Sequence, residues 1–317
     1  MTIDTKTPFS ADLKEGVVLR TAGLLYTVFD GTTQFTCRLA GKVRLEGIKA
    51  TNPVAVGDKV VFDSHTLLIQ DILPRKNYIL RESANLSKRY HILAANIDLL
   101  ALVLSYKLPR TSTGFADRVL ATCEAYSVEP FVVFNKKDIW DAADQSAVQE
   151  WAEVYKKLGY GVCFTSAFVP ATLGPLLEAG RGKTVLFLGH SGAGKSSLLN
   201  AMFPNLQLKT APISRKFEKG RHTTTFAEMF ITSAMRVIDT PGIKEFGMVR
   251  MRKQEVGDYF REILALKNTC RFHDCLHENE PGCAVREAVE EGEIAFWRYE
   301  NYLNILHTCT YEPWKDE

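Results

Sequence analysis

The chain has 317 residues, 46% of them apolar, with 39 Lys and Arg against 37 Asp and Glu. That length allows two or three domains with cores of their own, and the near balance of charge excludes a nucleic-acid binder that works through net charge alone, leaving any such role to local patches. The longest apolar run, Ile97–Leu104, contains Asp98 and falls far short of the roughly 20 residues of a membrane-spanning helix; the N-terminus lacks the basic-then-apolar order of a secretory leader, so a cytoplasmic chain with no membrane partner is expected.

From about residue 14 to 75, five short β-rich runs (GVVLRTAG, LLYTVFD, TQFTCRL, VAVGDKVVFD and TLLIQDI) are separated by turn residues, which predicts a small β-barrel over 1–75. Residues 1–90 carry 13 Lys and Arg against 9 Asp and Glu, a surplus of four that makes an RNA contact by the barrel plausible and no more. The stretch PRKNYILRESANLSKR shows little periodicity and reads as a linker over 76–91. From Ile92 the pattern alternates strands with helical segments, the mark of an α/β domain with a mainly parallel sheet over 92–247. Strands are expected at 98–105, 131–136, 161–166, 184–190, 228–233 and 235–240, with crossover helices over Phe115–Tyr126, Val148–Leu158 and after Lys195. Beyond Gly247 a helical pattern is interrupted by a cysteine cluster and resumes from Ala284 to about Leu306, which reads as a small helical domain over 248–317. Cys37, Cys123 and Cys163 lie in apolar runs and read as buried thiols.

Four short motifs end predicted strands, where ligands of parallel α/β sheets bind. Gly189-His190-Ser191-Gly192-Ala193-Gly194-Lys195-Ser196, followed by Ser197, lies between the strand TVLFLG and an apolar helix, the context of a phosphate-binding loop. Its backbone N–H groups would close on phosphate, Lys195 would reach the β- and γ-phosphates, and the Ser196 hydroxyl would hold Mg²⁺. Asp239-Thr-Pro-Gly242 supplies a carboxylate that can hold Mg²⁺ through water and a Gly242 N–H for the γ-phosphate. Asn135-Lys136-Lys-Asp138 supplies a carboxylate that can accept from guanine N1–H and the 2-amino group, two donors that adenine lacks. Asn135 would meet the other edge of the base and tie the loops together, with the Lys136 stem on the ring face. Thr165-Ser166-Ala167 stands where a backbone N–H can meet guanine O6. Between Lys209 and Arg221 five basic residues face Glu218 alone; for an isolated run this would read as a solvated loop.

In ordinary GTPases the phosphate loop comes first and the base motifs last. Here the base motifs precede the phosphate loop and DTPG comes last, the order that circular permutation gives to an unchanged sheet. Cys270-x₄-Cys275-x-His277-x₅-Cys283 offers three thiolates and an imidazole in one loop, which suits one tetrahedral Zn²⁺ with a closed shell and therefore a structural role; His273 lies in the same loop.

The leading barrel, the series NKKD, TSA, GHSGAGKSSLLN, GRHTTT and DTPG, and the trailing cysteine–histidine cluster followed by RYENYL together resemble the ribosome small-subunit-dependent GTPases of RsgA/YjeQ type, over nearly the whole chain. The resemblance implies an OB-fold first domain, GTP hydrolysis that is slow alone and stimulated by the small ribosomal subunit, and a role in maturation of that subunit, with its rRNA and GTP/GDP as partners. It implies that GRHTTT is the first switch, with Thr224 favoured over Thr225 as the Mg²⁺ and γ-phosphate contact. Ile243 follows DTPG where a Ras-like enzyme has its water-orienting glutamine, and an alkyl group cannot orient water; the resemblance makes His222 the replacement candidate. It also selects His277 over His273 for zinc. Where the family most often has phenylalanine after DTPG and often histidine after the threonines, this chain has Ile243 and Phe226, a difference that bears on switch packing. A monomer is expected. The alternatives are a permuted GTPase serving the large subunit or another ribonucleoprotein, and an RNA-binding scaffold that uses GTP only as a conformational ligand.

Overall fold

A computed structural model describes residues 12–41, 53–82, 90–209, 227–240 and 251–309. Strands β1 (Leu13–Ala22), β2 (Leu25–Phe29), β3 (Gln34–Leu39), β4 (Lys59–Asp63) and β5 (Leu68–Ile72) fall within or overlap the five β-rich runs. They pair in the order β1-β2-β3-β5-β4, and β4 returns to β1 from Leu13↔Asp63 to Val17↔Lys59, so the sheet closes into a five-stranded OB-like barrel. Closure leaves no open edge, and alternate side chains (Val18, Val28, Cys37, Val60, Phe62, Ile69) fill the interior.

The stretch read as a linker is not irregular throughout. Strand β6 (Tyr78–Glu82) pairs antiparallel with β7 (Tyr90–Ala95) in a separate two-stranded sheet. Ile79 and Leu80, both buried, are adjacent and are followed in the sequence by Arg81 and Glu82, so no period-2 signal is visible in the sequence. The loop before β4 is fastened to the end of β7 by Ala95 N–H donating to Val56 O (2.9 Å) and Asn96 Nδ2 to Gly57 O (2.9 Å).

The α/β domain is built on β8 (Leu99–Ser105), β9 (Glu129–Asn135), β10 (Gly161–Phe164), β11 (Thr184–Leu188), β12 (Glu228–Ile231) and β13 (Arg236–Asp239), in the order β10-β9-β8-β11-β13-β12. All neighbours are parallel except the β12–β13 pair. Strand β8 is buried along its whole length because both faces are covered. Leu100, Leu102 and Leu104 meet α1 (Thr113–Ala125) and α2 (Ala142–Lys157) on one side. Leu99, Ala101 and Val103 meet α3 (Gly174–Gly180) and α4 (Lys195–Met202) on the other. Ser112 caps α1 by accepting from Phe115 N–H, and Asp141 and Asp144 form a capping box at the start of α2. At the far edge, β12 meets β1 of the barrel through the single pair Arg20↔Glu228, so barrel and α/β sheet are continuous.

The C-terminal region contains α5 (Lys253–Val256), α6 (Arg261–Leu266), α7 (Ala284–Glu290) and α8 (Phe296–Thr308) around a core that includes Val256, Phe260, Ile263, Val285, Tyr302 and Ile305. It is clamped to α1 and α2 by a buried polar network. Arg298, 1% exposed, donates to Asp117 (2.6 Å) and forks onto Glu262 (2.6 and 2.9 Å). Asp117 also accepts from Tyr155 O–H (2.7 Å) and Asn301 Nδ2 (2.6 Å), so its lone pairs are matched as burial requires. No described helix is long and apolar enough to cross a membrane.

Candidate functional site

The described residues of all four motifs converge at the carboxyl ends of β9, β10, β11 and β13. The phosphate-loop sequence begins where β11 ends. A Cβ at Gly189 would stand 2.3 Å from Val103 O, so the loop passes the neighbouring strand only as glycine. Gly194 adopts φ +94°, and a Cβ there would meet Asn135 Nδ2 at 2.5 Å. No side chain caps the start of α4, so the first N–H groups of this helix remain available to an anion.

Lys195 is buried with its ammonium turned onto the loop, donating to Gly189 O (2.8 Å) and His190 O (3.1 Å). Burial pulls it down to about 8, against the pull of Asp239. Burial lifts Asp239 to about 6, opposed by Lys195, and its Oδ1 is buried with no hydrogen-bond partner among the described residues. A buried carboxylate oxygen with no described donor, at the end of the strand paired with β11, and a half-buried Ser196 at the start of the helix that follows β11 suit a hydrated divalent cation and the phosphates it accompanies. His190 lies against the Phe115 ring, with centroids 3.9 Å apart. Ser191 and Gly192 are exposed, Ala193 is buried and Ser197 is half-buried.

Asn135 ties three loops together. Its Nδ2 donates to Ala193 O (3.0 Å) and its Oδ1 accepts from Thr165 O–H (3.0 Å). Lys136, at φ 68°, sends its ammonium to Gly192 O (2.6 Å) and Leu108 O, so the base loop and the phosphate loop are cross-linked by charge-assisted bonds. Asp138 is exposed and accepts from Ser166 O–H (2.5 Å), while Ser166 N–H is held by Thr172 Oγ1 (2.9 Å) and Ala167 is half-buried. Thr172 and Leu108 were not singled out in the sequence, because each acts through a single hydroxyl or carbonyl in an otherwise unremarkable loop. Thr240, next to Asp239, bonds Phe187 O (2.8 Å) and was likewise passed over. His222, Thr224, Thr225, Gly242 and Ile243 lie outside the described residues.

In the C-terminal region the ligand atoms of Cys270, Cys275, His277 and Cys283 lie within 4.8 Å of one another. His277 Nδ1 is 3.5 Å from Cys270 Sγ and 3.4 Å from Cys283 Sγ, and those two sulfurs are 4.0 Å apart. A tetrahedral Zn²⁺ with ordinary bond lengths sets such edges at about 3.6 Å for S···N and about 3.8 Å for S···S, so the set fits. Burial lowers the His277 pKa and so favours the neutral imidazole that a metal takes. Two tyrosines of α8 fix the loop, Tyr299 donating to His277 O (2.6 Å) and Tyr302 to Leu276 O (2.7 Å). His273 is exposed in the same loop.

The RsgA GTPase family model matches residues 72–249. A small ribosomal subunit biogenesis GTPase RsgA of Christiangramia forsetii is 46% identical over 92% of this chain and 95% of its own length. The protein of the same description from Porphyromonas gingivalis is 45% identical over 96% of this chain and 99% of its own. The crystal structure of YjeQ from Thermotoga maritima superposes with a TM-score of 0.75 at 34% identity, covering 93% of this chain and 98% of that one. YloQ, described as a circularly permuted GTPase, gives 0.68 at 29% identity, covering 96% and 97%. The permuted motif order, the OB-like barrel and the Cys₃His cluster therefore have one explanation: the chain belongs to the RsgA GTPase family.

Proposed function

We propose that this GTP hydrolase acts in late maturation of the small ribosomal subunit, binding the subunit and its rRNA while GTP is bound and leaving after hydrolysis. The observation that carries the guanine part is the Asp138 carboxylate, held by Ser166 and tied through Lys136 and Asn135 to the phosphate loop. The subunit part rests on the description shared by relatives that match more than nine-tenths of the chain. In this reading Asn135, Lys136, Asp138 and Thr165–Ala167 hold the base and Gly189–Ser197 the phosphates. Mg²⁺, held by Ser196, Thr224 and, through water, Asp239, would neutralise charge on the β- and γ-phosphates. Lys195 changes partners from loop carbonyls to phosphate oxygens, Gly242 N–H faces the γ-phosphate, and His222 orients the attacking water. One structural Zn²⁺ on Cys270, Cys275, His277 and Cys283 orders the C-terminal domain. The domain limits are 1–75, 92–247 and 248–317 with a connecting 76–91, the barrel is the RNA contact, and the protein is a cytoplasmic monomer. The test is co-sedimentation with purified small subunits in a non-hydrolysable GTP analogue and in GDP: binding should be strong in the first and weak in the second, and nucleotide-independent binding would defeat the proposal.

A further inference from the structure

Ser166, just past the end of β10, is fully buried, and its two polar ends are engaged separately. The hydroxyl donates to Asp138 (2.5 Å) and accepts from Phe168 N–H (3.1 Å). The backbone N–H lies beyond the sheet ladder, which ends with Thr165 N–H on Phe134 O (2.8 Å), and donates instead to Thr172 Oγ1 (2.9 Å), six residues along the chain. The Thr172 O–H passes the bond on to Val169 O (2.7 Å), so one hydroxyl closes the whole turn. Thr172 is well placed to do so. Its own N–H bonds Val169 O (2.9 Å), and the next residue, Leu173, is 3% exposed in the core with Leu176 and Val185.

A buried backbone N–H needs an acceptor, and the loss of one shifts a local equilibrium by about 5- to 150-fold toward any arrangement that hydrates the N–H. Here that arrangement is an opened turn, which carries the Ser166 hydroxyl off Asp138 and moves the neighbouring Ala167 N–H. We propose, on the reading of Asp138 and Ala167 as guanine contacts, that Thr172 is a positioning residue for guanine selection, its hydroxyl holding Ser166 and through it Asp138 in the base-reading arrangement. Affinity for guanine then falls with the fraction of closed turn. The phosphate loop, which joins β11 to α4, is built without Thr172.

Equilibrium binding of GDP and ADP to the full chain tests this, together with the single-turnover rate at saturating GTP. Thr172→Val and Thr172→Ala both remove the hydroxyl and should weaken GDP about tenfold, the effect of a turn closed about one-tenth of the time. ADP affinity and the saturated rate should stay parental, so the GDP:ADP preference shrinks by the same factor. Thr172→Ser keeps the hydroxyl and should keep parental GDP affinity. If the parent prefers GDP and the Val and Ala variants keep its GDP:ADP ratio, whether by losing nothing or by losing both nucleotides alike, the role of Thr172 in selection is wrong while the guanine reading survives. Thr172→Ser as weak as Thr172→Val would assign the effect to methyl packing and overturn the proposal. Equal GDP and ADP affinities in the parent would remove the guanine reading and this role with it.

Discussion

Replacing Asp138 with Asn changes one oxygen into an amide nitrogen and keeps the shape. If the Ser166 hydroxyl keeps donating as it now does to Asp138 Oδ1, it holds the Asn oxygen there and leaves the NH₂ group in the position of Oδ2. There a guanine presents an N–H, and a donor meets a donor. A hydrogen bond to a charged group is worth about 1.5–3 kcal/mol, so losing one weakens GDP by about 10- to 150-fold at 1.4 kcal/mol per tenfold. ADP, which lacks those donors, should be little affected, so the GDP:ADP preference shrinks by a similar factor. A xanthine nucleotide carries a carbonyl where guanine has its 2-amino group and should gain, because the new amide can donate to it. Calorimetric titration of parent and Asp138→Asn with GDP, ADP and XDP reads all three effects. Undiminished GDP affinity in the variant would refute the base-recognition argument.

Native-purified protein should hold about one Zn²⁺ per chain, and Cys275→Ser should lose it and loosen the C-terminal domain with nucleotide affinity largely kept; metal analysis and limited proteolysis check this. Arg298→Met leaves the buried Asp117 and Glu262 without their counter-charge. Breaking such a pair costs about 3–5 kcal/mol, so calorimetry should show unfolding of the C-terminal region lowered by on the order of 10 °C. His222→Ala should keep GTP affinity but lower subunit-stimulated turnover by about 10²-fold, the usual contribution of a positioned water-orienting group; parental turnover in single-turnover assays would remove His222 from the chemistry.

The parallel sheet was legible because β8 and β11 are buried on both faces and read as unbroken apolar runs ended by chemistry-bearing loops. The zinc-type cluster was legible because four ligand residues fall within one short loop, although Cys₃His spacing alone did not separate His277 from His273. In the structure His277 is 2% exposed and faces the thiols. What stayed hidden depends on long-range pairing. Asp117 and Arg298 lie 181 positions apart, and each alone reads as a solvated charge on an amphipathic helix. Strand β6 was missed because Arg81 and Glu82 directly follow the adjacent apolar Ile79 and Leu80 in the sequence, and α3 because it is short, opens with Gly-Pro and ends in glycine. The cross-link from Lys136 to the phosphate loop needs φ 68° at that residue, which no spacing rule announces.

GTP turnover measured alone, with purified small subunits and with purified large subunits shows whether the small ribosomal subunit completes this GTPase. Slow turnover alone, marked stimulation by the small subunit and none by the large is the predicted result. Stimulation by the large subunit only, or turnover indifferent to both, would contradict it.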